Sequence, residues 1–275
     1  ATAYRSGLTK IWDVAAKKEL HILPGQGSDI RQVAFSPDDT ALATAGLDSM
    51  VTVWDMVDGD ILLRIPHVQP VNSVTYNEDG TRLVTTSWDG IVRIWDAGTG
   101  RKEIDLLGHS GMTLDADFSS DGQLLFSGGV DGTAKMWDLS PDKEVLTVSG
   151  HGIVLATDFS PDGQSFVTAG VDSTAQIWDA ATGESRIVFT GHQAPINGAN
   201  FSPDGNELVT GSFDATVKVW DVASGAELNT LSGYGSPIRS SKYSPNGAYI
   251  AASDETGEVF VWDANTGELL WSHNE

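Results

Sequence analysis

The chain has no cysteine. Disulfides, thiolate nucleophiles and Cys-ligated zinc sites are therefore excluded, and a reducing, cytoplasmic setting is the expectation. Long apolar runs are also missing, so no segment is expected to cross or anchor in a membrane. The opening residues ATAYRSG lack the apolar stretch of a signal peptide. Basic residues are scarce: 16 Lys and Arg stand against 38 Asp and Glu, a net charge of −22. A surface this acidic repels phosphate backbones and anionic bilayers, so no nucleic acid partner is expected. High charge keeps a sheet-rich chain soluble, and a basic protein or peptide is the sharper alternative reading of the same number. No H-E-x-x-H, EF-hand, G-x-S-x-G or glycine-rich phosphate loop occurs, and neither a metal nor a cofactor is expected.

What is present is a unit that repeats. Residues 191–221, GHQAPINGANFSPDGNELVTGSFDATVKVWD, begin with Gly-His, end with Trp-Asp and carry two turn signals, SPDG at 202–205 and FDAT at 213–216. Val217, Lys218, Val219 and Trp220 form a run too short for a helix and suited to a pleated surface. Asp204-Gly205 favours a tight reversal, because Gly accepts positive φ and Asp can bond its own backbone. A further turn and strand follow Asp221, which makes the unit a four-stranded antiparallel meander.

Trp-Asp recurs at 12–13, 54–55, 95–96, 137–138, 178–179, 220–221 and 262–263. The first turn recurs as SPDD, NEDG, SSDG, SPDG, SPDG and SPNG, ending with residues 244–247. Four strands at a period of about forty residues mark a β-propeller rather than a helical solenoid. The sequence resembles the WD40 repeat family along essentially its whole length. The resemblance implies an all-β, seven-bladed propeller of four-stranded blades in one domain, 1–275. Residues 1–24 form a partial N-terminal blade of about two and a half strands, followed by repeats 25–66, 67–108, 109–150, 151–191, 192–233 and 234–275. Because the chain starts inside a repeat, it is expected to be part of a longer polypeptide with its own upstream domains.

In that family a Trp, a Ser or Thr, a His and an Asp form a buried hydrogen-bond chain, and the match carries over to four repeats. These are His67, Thr85, Asp89 and Trp95; His109, Ser127, Asp131 and Trp137; His151, Thr168, Asp172 and Trp178; and His192, Thr210, Asp214 and Trp220. An imidazole between packed blades needs partners for both nitrogens, which the turn Asp and the strand-two hydroxyl can supply. Repeat one has Gln26 in the His slot. Repeat six has Tyr234, Ala252 and Thr256 in the His, Ser/Thr and Asp slots, and the fragment has Ser6 where Asp is expected. Four copies of one arrangement read as architecture, so no catalytic residue is assigned.

Function is expected where the repeats differ. The resemblance implies that three positions per repeat line one end of the propeller. They are the residue before the turn Asp and those six and four before the aromatic that closes strand one. The apolar members are Leu47, Trp88, Met112, Leu114, Val130, Ile153, Leu155, Val171 and Phe213. Basic members, Arg5, Arg31 and Arg239, fall on the opposite arc. Trp88 is set apart as an aromatic that is not the repeat's structural Trp. The expectation is a non-catalytic protein-recognition platform or sensor domain. An enzyme with a central-channel site and a purely structural scaffold are the alternatives.

Overall fold

The computed structural model describes residues 1–3, 7–13, 16–24, 27–140, 143–231 and 235–273. Arg5, Ser6, Gln26 and Tyr234 lie outside the described residues. All regular structure among the described residues is β; none is helical.

The strands run in chain order through antiparallel sheets. β1 (Thr2–Ala3), β2 (Thr9–Asp13) and β3 (Lys18–Leu23) form a three-stranded sheet. Next come β4 (Ile30–Phe35), β5 (Ala41–Gly46), β6 (Met50–Asp55) and β7 (Ile61–Pro66), then β8 (Val71–Tyr76), β9 (Arg82–Ser87), β10 (Val92–Asp96) and β11 (Lys102–Leu106). β12 (Thr113–Phe118), β13 (Leu124–Gly129), β14 (Thr133–Asp138) and β15 (Lys143–Ser149) follow, then β16 (Val154–Phe159), β17 (Ser165–Gly170), β18 (Thr174–Asp179) and β19 (Ser185–Thr190). The last eight are β20 (Ile196–Phe201), β21 (Glu207–Ser212), β22 (Val217–Asp221), β23 (Glu227–Leu231), β24 (Ile238–Tyr243), β25 (Tyr249–Asp254), β26 (Val259–Asp263) and β27 (Leu269–His273). From β4 onward each consecutive four make one sheet, giving six four-stranded blades in meander order.

By compactness the chain falls into two units, Ala1–Gly129 with Met136–Val145, and Val130–Lys135 with Leu146–Glu275. In the first unit β4, β8 and β12 pack side by side, and in the second β16, β20 and β24 do the same. The cores lie between neighbouring sheets. Val53 and Ile65 of one sheet meet Val74 and Leu83 of the next, and Ile177 and Phe189 meet Phe201 and Leu208. This explains the burial pattern: inner strands such as β5 and β17 are covered on both faces, whereas β7 and β19 are largely exposed. Central strands with both faces covered read as near-continuous apolar and small residues, here ALATAG and SFVTAG.

Two register breaks recur. One sits just before the repeat's Trp on the third strand, as between Val53 and Trp54 or Val219 and Trp220. The other sits near the start of every first strand, between Ile30 and Gln32, Val71 and Ser73, Thr113 and Asp115, Val154 and Ala156, Ile196 and Gly198, and Ile238 and Ser240. The residues passed over are Arg31, Asn72, Leu114, Leu155, Asn197 and Arg239.

Candidate functional site

The buried polar groups decide whether chemistry or architecture is at hand. In repeat five the Trp220 indole N–H donates to Thr210 Oγ1 at 2.8 Å, and Thr210 meets His192 Nε2 at 2.8 Å. His192 Nδ1 lies 2.8 Å from Asp214 Oδ2. Because a carboxylate only accepts, Nδ1 carries the proton and Nε2 accepts from the Thr hydroxyl. Repeat four has the same chain: Trp178 to Thr168 at 2.8 Å, Thr168 to His151 at 2.8 Å, and His151 to Asp172 at 2.9 Å. Burial pushes the His192 pKa down against the pull of Asp214. Burial raises Asp214, but hydrogen bonds from Thr216, Gln193 and His192 outweigh it and hold the carboxyl below its ordinary range.

Repeat two has the same residues and a different connection. Trp95 donates to Thr85 at 2.9 Å, and Thr85 meets His67 Nε2 at 2.8 Å. His67 Nδ1 then turns to the Ile65 carbonyl at 3.2 Å. Asp89 is occupied by Arg93, whose guanidinium grips both carboxylate oxygens at 3.1 and 2.8 Å. The structure therefore does not join Asp89 to His67. Burial lowers the His67 pKa to about 4. In repeat three Trp137 and His109 both reach Ser127 Oγ at 2.9 Å, while Asp131 accepts the Thr133 N–H at 3.1 Å.

In repeat one, where Gln26 takes the His slot, the Trp bond persists, with Trp54 donating to Thr44 at 3.0 Å; in the fragment Trp12 donates to Thr2 at 2.9 Å. In repeat six the turn is capped by Asp254, which accepts from Thr256 N–H at 2.9 Å, Thr256 Oγ1 at 2.7 Å and Glu258 N–H at 3.0 Å. Sequence alignment placed Thr256 in the Asp slot; the acidic cap sits two residues earlier. Among the described residues no group of three or more His, Asp or Glu could hold a metal ion.

The variable positions are organised by the bulges. A bulge leaves one residue out of the ladder and re-aims its side chain. The residues four before each closing aromatic are the bulged ones, from Arg31 to Arg239. The other two variable positions are tied to each other. The residue before the turn Asp donates its backbone N–H to the carbonyl of the residue six before the aromatic. These pairs are Leu47 to Asp29, Trp88 to Pro70, Val171 to Ile153, Phe213 to Pro195 and Glu255 to Pro237, at 2.8–3.2 Å.

Within the first unit, Trp88 is 41% exposed, and its indole N–H donates to Asn72 Oδ1 at 3.0 Å. The Asn72 amide donates onward to the Thr113 carbonyl at 2.7 Å. Arg31 is exposed, while Leu47, Met112 and Leu114 are half-buried. Within the second unit, Val130, Ile153, Leu155, Val171 and Phe213 are half-buried. The Arg239 guanidinium lies 4.8 Å from the Phe213 ring centroid and pairs with Glu255 at 2.6 Å. Assigning Phe213 and Arg239 to opposite arcs is thus corrected: the bulge at Arg239 swings its side chain over the neighbouring repeat's turn. Of the nine apolar candidates only Trp88 is exposed.

Residues that sequence reasoning passed over include Asp158 and Asn200, one position before the closing aromatic. Asp158 Oδ2 accepts the Phe201 N–H at 2.7 Å and the Asn200 amide at 2.9 Å. Asn200 Oδ1 in turn accepts the Tyr243 N–H at 3.0 Å. Each stitches one first strand to the next. The signal was a short polar residue facing inward at the same register in successive repeats.

Comparison with known proteins fits this geometry. A family profile described as "WD domain, G-beta repeat" matches residues 17–55, 61–96, 100–138, 142–179, 183–221 and 225–263. A guanine nucleotide-binding protein subunit beta-like protein of Encephalitozoon cuniculi is 33% identical over 153 residues, 56% of this chain and 35% of the relative. A nuclear distribution protein PAC1 of Ajellomyces capsulatus is 37% identical over 150 residues, 52% of this chain and 33% of the relative. A small ribosomal subunit protein RACK1 of Caenorhabditis elegans is 28% identical over 129 residues, 46% of this chain and 27% of the relative. In these three matches the chain spans about a third or less of the relative's length. With six repeats matched over most of its length and six four-stranded blades in the fold, the chain belongs to the WD40 repeat family of β-propellers.

Proposed function

We propose that the chain is a non-catalytic recognition platform that binds a protein or peptide through the bulged first strands and the turns beside them. The observation that carries this reading is the coincidence of variability with bulges. The six side chains released from the ladders are basic, amide or apolar from repeat to repeat, while the Trp–hydroxyl bond recurs in each repeat that keeps a Ser or Thr in its second-strand slot. The relatives' names, a guanine nucleotide-binding protein subunit beta-like protein and a small ribosomal subunit protein, refer to multi-subunit assemblies and support the same reading. The polar chains support architecture rather than catalysis, because they sit between packed sheets and recur with the fold.

In the first unit the anchor is Trp88, bonded to Asn72, with Leu47, Met112 and Leu114 at the matching variable positions and Arg31 exposed. In the second it is Phe213 under Arg239, with Ile153, Leu155, Val130 and Val171. We take the three-stranded sheet as a seventh blade lacking its first strand, because Trp12 bonds Thr2 as Trp54 bonds Thr44. The reading is tested by recovering partners with the folded chain and measuring their affinity for Trp88→Ala and Phe213→Ala. Each should weaken binding by about 2 kcal/mol or more, as buried aromatic anchors do. Charge reversal at Arg31 or Arg239 should chiefly alter association rate and its salt dependence. Normal binding by both aromatic variants, with loss on changing the turns that carry Asp121 or Asp162, would overturn the assignment.

A further inference from the structure

A second surface lies wholly within the first unit, at the opposite ends of its strands from Trp88. The turns SPDD and NEDG meet there. A Cβ on Gly80 would stand 3.3 Å from Pro37 Cδ, a tight contact, and the Gly80 φ of +71° favours glycine where the two turns approach. Behind them opens a groove of about 520 Å³, within the range of small-ligand sites. One wall is apolar, from Pro37, Leu62 and Leu63, and Leu62 is 51% exposed. The other is acidic, from Asp38 and Asp79.

Tyr76 reaches the groove from the core between the two sheets and is only 9% exposed. No hydrogen bond engages its hydroxyl among the described residues. The same position in repeat six shows what a satisfied tyrosine looks like there: Tyr243 donates its hydroxyl to Glu207 at 2.7 Å. The Tyr76 hydroxyl instead opens onto the groove, where a ligand can serve as its partner. Asp38 and Asp79 use Oδ1 for their own turns, accepting from Ser36 and Thr40 and from Thr81. Those turn bonds hold both carboxyls below the ordinary carboxylate range, so both stay ionised. Arg82, whose charge acts on Asp79, is already paired with Glu103 at 2.9 Å.

We propose that this groove takes an arginine side chain from a partner polypeptide, its stem along Leu62, Leu63 and Pro37 and its guanidinium between Asp38, Asp79 and the Tyr76 hydroxyl. Guanidinium supplies several donors in a rigid plane to a site built of acceptors, and its weak hydration suits a half-buried groove. The overall charge of −22 draws a basic segment toward it. The site is independent of the Trp88 surface and goes beyond the recognition surface proposed above.

The test is NMR titration of the full chain, following the backbone amides of Gly80 and Gly98. Three probes are used: an acetylated octapeptide with one arginine among leucine and glycine, its citrulline twin, and arginine amide. The arginine peptide should give saturable shifts at both amides, and citrulline, which keeps the shape without the charge, should bind about tenfold more weakly. Asp38→Asn with Asp79→Asn should weaken the arginine peptide about tenfold, and Tyr76→Phe about threefold. These variants keep the fold, because repeat six carries Asn246 in the turn with the same bonds and four repeats close strand one with Phe. Trp88→Ala should leave the shifts unchanged. Absence of saturable shifts, equal binding of the citrulline twin, indifference to the double Asn variant, or arginine amide binding as tightly as the peptide would each overturn the proposal.

Discussion

Repeats two and five carry the same four residue types at nearly the same spacing, and their hydrogen bonds differ at one link. In repeat five the fourth residue after the turn Asp is Lys218, whose ammonium goes to Glu227 and Thr230 at 2.8 Å and leaves Asp214 to His192. In repeat two that residue is Arg93, and its planar fork takes both oxygens of Asp89. The imidazole of His67 falls back on a main-chain carbonyl. A four-residue polar motif is thus decided by a fifth residue on the neighbouring strand. Both versions leave no ring nitrogen of the His unpaired, which is the requirement burial imposes.

The largest effect that tests this comparison is one the two repeats should share. Trp95→Ala and Trp220→Ala each remove a buried indole and should cost about 3–5 kcal/mol in denaturant unfolding. A gap between them larger than the Asp link can explain would mean the repeats differ in packing as well as bonding. At the next level they should diverge. His192→Ala takes the imidazole from Asp214 and Thr210 and should cost about 1–3 kcal/mol, whereas His67→Ala leaves Asp89 with Arg93 and should cost less. Equal losses would show that the Asp link carries no stability.

The same contrast has a pH signature. The folded His67 pKa is about 4, below its ordinary 6.5, so between these values the unfolded chain binds more protons. Stability contributed by neutral His67 is complete above pH 6.5 and is lost as pH falls toward 4. Arg93→Lys should release Asp89 from its bidentate grip and raise the His67 pKa, narrowing that window. Histidine NMR titration reads this directly, and an unmoved His67 would mean that Arg93 is not what separates the two repeats. The smallest effect is expected at the strand-one turns. Asp121→Asn and Asp162→Asn should change stability by no more than about 0.5 kcal/mol, because Asn246 makes the same turn bonds in repeat six. A larger loss would mean that the charge, not the turn geometry, is what those positions contribute.

The blades were legible in the sequence because their determinants are local. Trp-Asp, the SPDG turns and short strands of β-branched and small residues each fix a few residues of backbone, and their repetition fixed the order. The Trp–hydroxyl pairs followed from the register between second and third strands. The Arg93 grip was not legible, although the residue was visible, because choosing between two acceptors for Asp89 depends on side-chain geometry across a strand. Asp254 was missed for a similar reason: alignment assigns slots by counting, and repeat six caps its turn from a different slot. The candidate surface was located by position but not by exposure. Leu114 and Leu155 sit at bulges, Val171 bonds back to Ile153, and all four are half-buried. Arg239 reached Phe213 because a bulge swings a side chain sideways, an outcome that alternation along a strand cannot foretell.

The six bulges have a consequence for how such a chain can change. A residue in a paired strand is read twice, by the ladder and by the packed sheet beside it, so most replacements there are rejected. A bulged residue is read by neither ladder partner. Asn72 and Asn197 still bond a main-chain carbonyl of the next first strand, so Arg31, Leu114, Leu155 and Arg239 form the set of sites that can be randomised together at little cost to folding. A library built on those positions alone would sample binding specificity while holding the scaffold constant, and selection on any target would then act on the surface and not on the fold.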